Sequence, residues 1–169
     1  LAMVLVEPRK LEPRELALPD IADDSALLCV EACGICGSDY EQFEGVLRTP
    51  TPVVPGHEPV GVIDRIGDRA ARRWGVDVGD RVAVEALLSC RYCRRCVAGE
   101  YQLCERRRVY SYIPLDVKPG LWGAYAEYLY LAPGSIVHKI DRSISPSCTP
   151  RSRSRSSSSP PSSAWVTTW

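Results

Sequence analysis

Hydrophobic and polar residues alternate over short runs in most of the first 140 positions. The apolar or alternating runs occupy residues 2–6, 14–18, 25–32, 56–67, 80–86, 122–131 and 135–140. Proline, glycine and aspartate stand between them, and runs with these boundaries predict strands joined by turns. One short helix is predicted where Ser38 and Asp39 can cap a segment that extends toward Phe43. About eight short strands with little helical periodicity predict a mainly β fold, either a barrel or a sandwich.

This strand pattern ends at Ile144. Residues 145–163 contain ten Ser, four Pro and three Arg. A segment of this composition buries too little apolar surface to offset the entropy of ordering it, so we predict a disordered tail. A solvated tail is favoured over an RNA-binding one, because three arginines fall short of a serine-arginine repeat. The predicted organisation is a domain over residues 1–144 and a tail over residues 145–169.

Composition limits the classes of partner. The 21 basic residues balance the 21 acidic ones, so no global field favours nucleic acid or an anionic membrane. No apolar run reaches the roughly 20 residues of a spanning helix, and the start of the chain lacks the features of a signal peptide. Eight cysteines without a secretory signal favour a reducing compartment, and we expect a cytoplasmic protein whose thiols bind metal.

Half of those cysteines are concentrated in one segment, SCRYCRRCVAGEYQLC. They are Cys90, Cys93, Cys96 and Cys104, with gaps of two, two and seven residues. Two Cys-x-x-Cys steps with a further thiol nearby are typical of a structural Zn²⁺ site, which prefers a tetrahedron of ligands. An iron–sulfur cluster is an alternative, although the bacterial ferredoxin run has a three-residue last gap followed by Pro. Disulfides or free thiols are the other alternative.

A second group of candidate ligands is spread over two motifs. Cys36 lies in ACGICGSD, and His57 and Glu58 lie in PGHEPVG some twenty residues later. One thiolate, one imidazole and one carboxylate from separate loops match a catalytic zinc, which keeps one coordination position open. Taken one at a time, these residues favour a plainer interpretation, with His57 as a turn residue and Cys36 as a small buried side chain.

The order and spacing of these three motifs resemble the N-terminal half of the zinc-containing medium-chain dehydrogenase/reductase family, which includes alcohol, polyol and threonine dehydrogenases. The resemblance covers about residues 1–140. It implies a GroES-like β-barrel with a catalytic zinc and a protruding four-cysteine zinc lobe, and therefore two Zn²⁺ sites. It also implies oxidation of a small-molecule alcohol or polyol with NAD(P)⁺, which in that family binds mainly to a following Rossmann domain.

The resemblance also implies roles for individual residues. Cys36 and His57 match the first two ligands of the catalytic zinc, and Glu58 matches a glutamate that binds the metal or exchanges with its water. Ser38 matches the hydroxyl that takes the proton of the alcohol. Asp39 matches the carboxylate behind the ligating histidine, where it fixes the imidazole tautomer. The structural zinc lobe is matched in full by Cys90, Cys93, Cys96 and Cys104.

The sequence departs from the family in three places. Glu41 stands where some relatives carry a histidine that relays protons. Arg153 and Ser154 stand where the family has its last zinc ligand, and Cys148 is about five residues too early to replace it. None of the 12 glycines forms Gly-x-Gly-x-x-Gly, so no complete nicotinamide site is expected in this chain. We therefore interpret the tail as foreign sequence from a truncation, a frame change or an unusual splice.

The sequence supports three functional hypotheses. In the first, the chain is the zinc-dependent oxidoreductase catalytic domain of an alcohol dehydrogenase, truncated and inactive alone. In the second, it is a stand-alone zinc-binding module without catalysis. In the third, it associates with itself or with a full-length relative through the apolar face that would adjoin the Rossmann domain. Leu47, Tyr110 and Trp122 are candidates to shape a substrate pocket, with ordinary packing as the alternative.

Overall fold

The computed structural model describes residues 1–140, so the predicted tail, Cys148 and Arg153–Ser154 lie outside the described residues. Within residues 1–140 the strands are β1 (Ala2–Glu7), β2 (Lys10–Arg14), β3 (Ala26–Gly34), β4 (Glu58–Ile66), β5 (Arg81–Val84), β6 (Leu87–Leu88), β7 (Arg108–Val109), β8 (Tyr128–Leu131) and β9 (Val137–Lys139). The helices of the same range are α1 (Gly37–Glu44), α2 (Asp68–Trp74) and α3 (Arg94–Val97), with a 3₁₀ turn at Tyr101–Leu103. None of these helices has the length and hydropathy that a membrane span requires. The fold is mostly β, as predicted.

Two strands differ in position from the prediction. The second strand lies at Lys10–Arg14 instead of residues 14–18, because the chain turns back tightly after Glu7 and β2 pairs with β1 from Lys10. The run at 122–131 forms a strand only over Tyr128–Leu131. The earlier part of that run hydrogen-bonds to a loop instead, since the N–H groups of residues 124 and 125 donate to the carbonyls of residues 56 and 55.

Helix α2 is absent from the prediction. It begins after Gly67 and ends before Gly75, which adopts a left-handed φ of 66° and donates its N–H to the Ala71 carbonyl. Alanine and arginine within the helix favour helical backbone, and a left-handed glycine directly after a helix is its most frequent stop signal. With only seven residues, the helix is too short for its hydrophobic periodicity to be recognised.

Strand β3 is central to the fold. It lies inside a five-stranded antiparallel sheet of order β8-β3-β4-β5-β9. Its first residues are buried on both faces: Ala26 and Leu28 join the main core, whereas Leu27 and Cys29 join a second cluster with Tyr128. A strand buried on both faces has a continuous apolar sequence instead of an alternating one. The continuous apolar run ALLCV is therefore typical of a strand inside the sheet and covered on both faces, as β3 is.

The pairing of β3 with β4 determines where two loops meet. The two strands are antiparallel, and Gly34 at the end of β3 lies opposite Glu58 at the start of β4. Residues that follow Gly34 and residues that precede Glu58 therefore emerge at the same edge of the sheet. Cys36 and His57 are brought together in this way, although 20 residues separate them in the sequence.

The cysteine-rich segment is a lobe that lies outside the five-stranded sheet, between two short strands of its own. Strands β6 and β7 pair with Leu87 opposite Val109 and Leu88 opposite Arg108. Residues 89–107 lie between these strands and include α3 and the 3₁₀ turn. The short ladder thus closes the base of the lobe, and the cysteines are gathered by a local loop instead of by the main sheet.

Two of the candidate pocket residues belong to the main core, so for them the packing alternative holds. Tyr110 is 0% exposed and Trp122 is 4% exposed, and both pack in the largest hydrophobic cluster. The Tyr110 hydroxyl is hydrogen-bonded to Ser135 Oγ at 2.7 Å. It also accepts a hydrogen bond from the Ala132 N–H at 3.1 Å. Burial raises the pKa of this phenol to about 12, so it stays a neutral donor.

Tyr110→Phe tests this buried network. It removes the hydroxyl and leaves the Ala132 N–H and the Ser135 hydroxyl without that partner, and we expect the free energy of unfolding to fall by about 1–3 kcal/mol. Urea denaturation is the measurement. Tyr40→Phe is the matched control because Tyr40 is 65% exposed, and its cost should stay within about 0.5 kcal/mol. Equal effects of the two variants would contradict the assignment of Tyr110 as a hydrogen-bonded core residue.

Candidate metal centres

The structure brings Cys36, His57 and Glu58 together where β3 ends and β4 begins. Their ligand atoms lie within 4.8 Å of one another, and Cys36 Sγ is 3.3 Å from His57 Nε2. Cys36 directly precedes α1, and His57 directly precedes β4, so ordered elements position both loops. The set offers one thiolate, one imidazole and one carboxylate, which are the donor types of an open zinc site.

Gly34 makes room for the carboxylate of this set. It lies opposite Glu58 in the β3–β4 ladder, and a Cβ added at Gly34 would overlap Glu58 Oε2. The same Cβ would lie 3.2 Å from Glu58 Cβ and 3.3 Å from its Cδ. The carboxylate therefore occupies the space that a side chain at position 34 would fill.

One buried carboxylate supports both the Cys36 loop and the His57 ring. Asp39, in the first turn of α1, accepts the Cys36 N–H on Oδ2 at 3.0 Å. Its Oδ1 lies 3.2 Å from His57 Nδ1, and the two side chains are only 5% and 11% exposed. Because Nδ1 is turned toward the carboxylate, Nε2 faces Cys36 and is the nitrogen available to a metal.

The Ser38 hydroxyl borders the same donor set. Its Oγ lies 2.9 Å from Cys36 Sγ and 3.4 Å from His57 Nε2. A hydroxyl in this position can exchange a proton with an oxygen held by the set. Glu41 lies farther along α1 and is exposed.

A further thiol near the site is not part of the donor set. Cys33 is half-buried in β3, and its Sγ donates to the Gly34 carbonyl at 3.4 Å. Burial raises the pKa of Cys33 to about 11. Cys33 also lies outside the group of Cys36, His57 and Glu58, whose ligand atoms converge.

Sequence reasoning missed two tyrosines beside the site. The ring centre of Tyr112 lies 6.3 Å from that of His57. The hydroxyl of Tyr125 is buried, and the Asp39 carboxylate is among the groups that act on it. Tyr125 falls in the alternating run GAYAEYLYL, which predicts a strand and carries no signal of a contact with the His57 loop.

The cysteines of the lobe also converge. The Sγ atoms of Cys90 and Cys96 are 3.9 Å apart, those of Cys93 and Cys96 are 3.5 Å apart, and those of Cys93 and Cys104 are 4.0 Å apart. Tetrahedral Zn–S bonds of about 2.3 Å place sulfurs about 3.8 Å apart, whereas a disulfide joins them at about 2.05 Å. The spacing therefore fits one ion held by four sulfurs and excludes disulfides within the lobe.

Backbone N–H groups stabilise thiolates in the lobe. Cys90 and Arg106 donate their N–H groups to Cys104 Sγ at 3.3 and 3.4 Å, and Cys93 donates to Cys90 Sγ at 3.4 Å. The Cys96 N–H is the main cause that lowers the pKa of Cys93 to about 6, whereas burial is the main cause that raises the pKa of Cys96 to about 12. The lobe thus favours a thiolate at Cys93, and an ion held by all four sulfurs would displace the remaining thiol protons.

Comparison with known proteins assigns a family to this arrangement. Residues 22–142 match the model of the alcohol dehydrogenase GroES-like domain. The chain is 54% identical over 148 residues to a probable alcohol dehydrogenase of Mycobacterium tuberculosis, with 86% of this chain and 40% of that protein covered. It is 35% identical over 153 residues to an erythritol/L-threitol dehydrogenase of Mycolicibacterium smegmatis, with 85% of this chain and 41% of that protein covered. The chain spans about 40% of the length of these curated relatives.

Solved structures share the fold. The alcohol dehydrogenase TADH from Thermus sp. ATN1 matches with a TM-score of 0.71 and 30% identity over 86% of this chain and 41% of its own. A zinc-binding dehydrogenase from Sinorhizobium meliloti, solved with NADP bound, matches with a TM-score of 0.71 and 28% identity over 86% of this chain and 39% of its own. The mostly β architecture is therefore the GroES-like fold that the motifs predict.

Cys96→Ser tests the four-sulfur lobe. The variant should lose about one zinc ion per chain, and residues 87–110 should exchange their amide hydrogens faster because metal binding supplies folding energy there. Elemental analysis and hydrogen exchange measure the two effects. Cys33→Ser is the control, since it removes a thiol that lies outside both donor sets. An unchanged zinc content in Cys96→Ser would overturn the ligand assignment.

Gly34→Ala tests the space given to Glu58. The added methyl group must displace the carboxylate, so we expect the affinity of the Cys36 set for Co²⁺ to fall about tenfold, at the low end of the loss seen when support of a metal site is disturbed. This affinity is measured by titrating Co²⁺ into the purified chain after zinc has filled the lobe. At Gly37 an added Cβ meets nothing within 4 Å, so Gly37→Ala is the control. If both variants bound Co²⁺ like the unaltered chain, Glu58 would not belong to the set.

Proposed function

Because this chain belongs to the alcohol dehydrogenase family with a GroES-like domain, we propose that it supplies the catalytic zinc site of an enzyme that oxidises the CH–OH group of an alcohol or polyol. The observation that carries this proposal is the convergence of Cys36, His57 and Glu58, with the Asp39 carboxylate behind the imidazole. The substrate class is supported by relatives described as an alcohol dehydrogenase and an erythritol/L-threitol dehydrogenase.

Two donor sets would hold zinc in this proposal. Cys36, His57 and Glu58 would hold the catalytic ion, and the lobe cysteines would hold a structural one. The chemistry that zinc supplies at the first set is Lewis acidity toward an alcohol or carbonyl oxygen. The lobe offers four sulfurs and leaves no position for a substrate, so its role is structural.

The residues around the first set orient the imidazole and move a proton. Asp39 holds His57 with Nδ1 toward the carboxylate, which keeps Nε2 toward the donor set. Ser38, 2.9 Å from Cys36 Sγ, accepts the proton that the substrate hydroxyl loses and passes it outward. Glu58 is exposed and can leave the set when water or substrate enters. In the reverse direction, Ser38 returns the proton to the oxygen of the reduced carbonyl.

Alcohol oxidation also needs a hydride acceptor, and we propose NAD(P)⁺. NADP is bound in the Sinorhizobium meliloti relative, which supports a nicotinamide as the cofactor class. This sequence contains no Gly-x-Gly-x-x-Gly turn, and the chain spans about 40% of its curated relatives. We therefore assign no residue of this chain to the nucleotide.

Metal content and alcohol binding test the proposal. The chain should contain about two zinc ions, and Cys36→Ser should contain about one, because the lobe is unaffected. With Co²⁺ in the first set, an alcohol or polyol that binds there should shift the visible bands of the ion. The shift should be absent in Cys36→Ser. One zinc per chain, or Co²⁺ bands that no alcohol or polyol shifts, would overturn the proposed site.

Turnover distinguishes a working enzyme from a zinc-binding module. The purified chain is mixed with NAD⁺ or NADP⁺ and a panel of alcohols and polyols, and absorbance of the reduced nicotinamide is followed. Steady formation of NAD(P)H supports catalysis by the chain itself. Alcohol binding without NAD(P)H formation supports a module that holds zinc and substrate and depends on a separate nucleotide site.

A further inference from the structure

Among residues 1–140, three polar atoms of the Cys36–His57 site are buried and have no hydrogen-bond partner. They are Asp39 Oδ1, His57 Nδ1 and the Tyr125 hydroxyl oxygen. The first two lie 3.2 Å apart, but their approach is not that of a formed hydrogen bond. Buried polar groups in native proteins are nearly always paired, and an unpaired one is destabilising. Of the three, Asp39 Oδ1 is an acceptor that the imidazole and the phenol could share.

The backbone fixes Tyr125 against the loop that carries His57. The Tyr125 N–H donates to the Pro55 carbonyl at 2.9 Å, and the Ala124 N–H donates to the Gly56 carbonyl at 2.9 Å. Gly56 has a left-handed φ of 89°, and a Cβ there would lie 2.6 Å from Cδ1 of the Tyr125 ring. The glycine directly before His57 therefore lets the phenol ring pack closely against the loop.

The pKa of the Tyr125 phenol supports a position close to Asp39, in line with the contact of its ring with the loop before His57. Burial is the main cause that raises the pKa of Tyr125, and the negative charge and side chain of Asp39 raise it further. The Asp39 carboxylate can accept hydrogen bonds from both the imidazole and the phenol, because an ionised carboxylate offers about four lone-pair positions. Its Oδ2 already accepts the Cys36 N–H, so Oδ1 is the atom that the imidazole and the phenol can share.

We propose that the Tyr125 hydroxyl donates a hydrogen bond to the Asp39 carboxylate and is a positioning residue for His57. The resulting chain of Tyr125, Asp39 and His57 holds the imidazole with its proton on Nδ1 and its Nε2 free for a metal. This proposal rests on the proposed function in one respect: it takes from it that His57 binds a metal. The tautomer itself is a property of the metal-free chain.

The first test reads the His57 tautomer directly. The chain contains two histidines, so ¹⁵N-histidine labelling gives two sets of imidazole signals, and His138→Gln assigns them. At about pH 8.5, above the ordinary titration range of imidazole, His57 of the metal-free chain should carry its proton on Nδ1. Tyr125→Phe keeps the ring against Gly56 and should give a mixture of tautomers. Tyr112→Phe removes a hydroxyl from the other tyrosine near His57 and is the control.

The second test is a double-mutant cycle on metal affinity. With zinc in the lobe, Tyr125→Phe should weaken Co²⁺ binding to the Cys36 set about tenfold, the typical size for an outer partner of a ligand. Asp39→Asn should weaken it at least as much. Adding Tyr125→Phe to Asp39→Asn should cost less than about twofold more, because the phenol acts through the carboxylate.

The outcomes separate this proposal from the proposed function. Failure of the unaltered chain to bind Co²⁺ at the Cys36 set would overturn the function, while the tautomer experiment would still judge the role of Tyr125. An unaltered tautomer in Tyr125→Phe, or additive losses in the double variant, would overturn the positioning role even with the metal site intact. Thermal unfolding of each variant checks that the fold is retained.

Discussion

The antiparallel register of β3 and β4 is the constraint on which the proposed catalytic site depends. With Gly34 opposite Glu58, the residues on either side of the ladder end leave the sheet at one edge, and Cys36 meets His57 there. A shift by one residue would turn each side chain to the opposite face and separate the donor set. The register is held by burial, because Leu27 and Leu28 are both fully buried on opposite faces of β3. The hydrophobic core therefore determines the geometry of the polar site.

The two proposed metal centres depend on the fold to different degrees. The lobe cysteines lie within 15 positions, and the two-residue strands β6 and β7 close the loop that carries them. A metal can supply much of the folding energy of such a loop. Cys36 and His57, in contrast, meet only after the nine-residue strands β3 and β4 have paired. The lobe is a local structure that metal could organise, whereas the proposed catalytic set forms only when the sheet forms.

This difference explains how much of the molecule could be predicted from its sequence. The residues of both candidate donor sets were selected from cysteine, histidine and glutamate motifs, because metal ligands are limited to a few residue types at characteristic spacings, and the structure brings each set together. The β class followed from the alternating runs. Helix α2 was missed because seven residues show too little periodicity. The predicted position of β2 was wrong because a tight turn at Arg9 determines where the strand starts. The start of β2 depends on its pairing with β1, and the local sequence around the turn does not show where that pairing begins.

The polar groups behind the ligands were only partly predictable, for a physical reason. Asp39 lies three residues from Cys36, so helix geometry alone brings its carboxylate back to the Cys36 N–H. Tyr125 lies 68 positions from His57, and nothing in its alternating run distinguishes it from the other aromatic positions of that run. Its contact arises because the backbone around Tyr125 hydrogen-bonds to the loop before His57 and because Gly56 leaves space for the ring. Ligands are recognisable by residue type, whereas the groups that orient them are selected by position, and position is known only once the chain has folded.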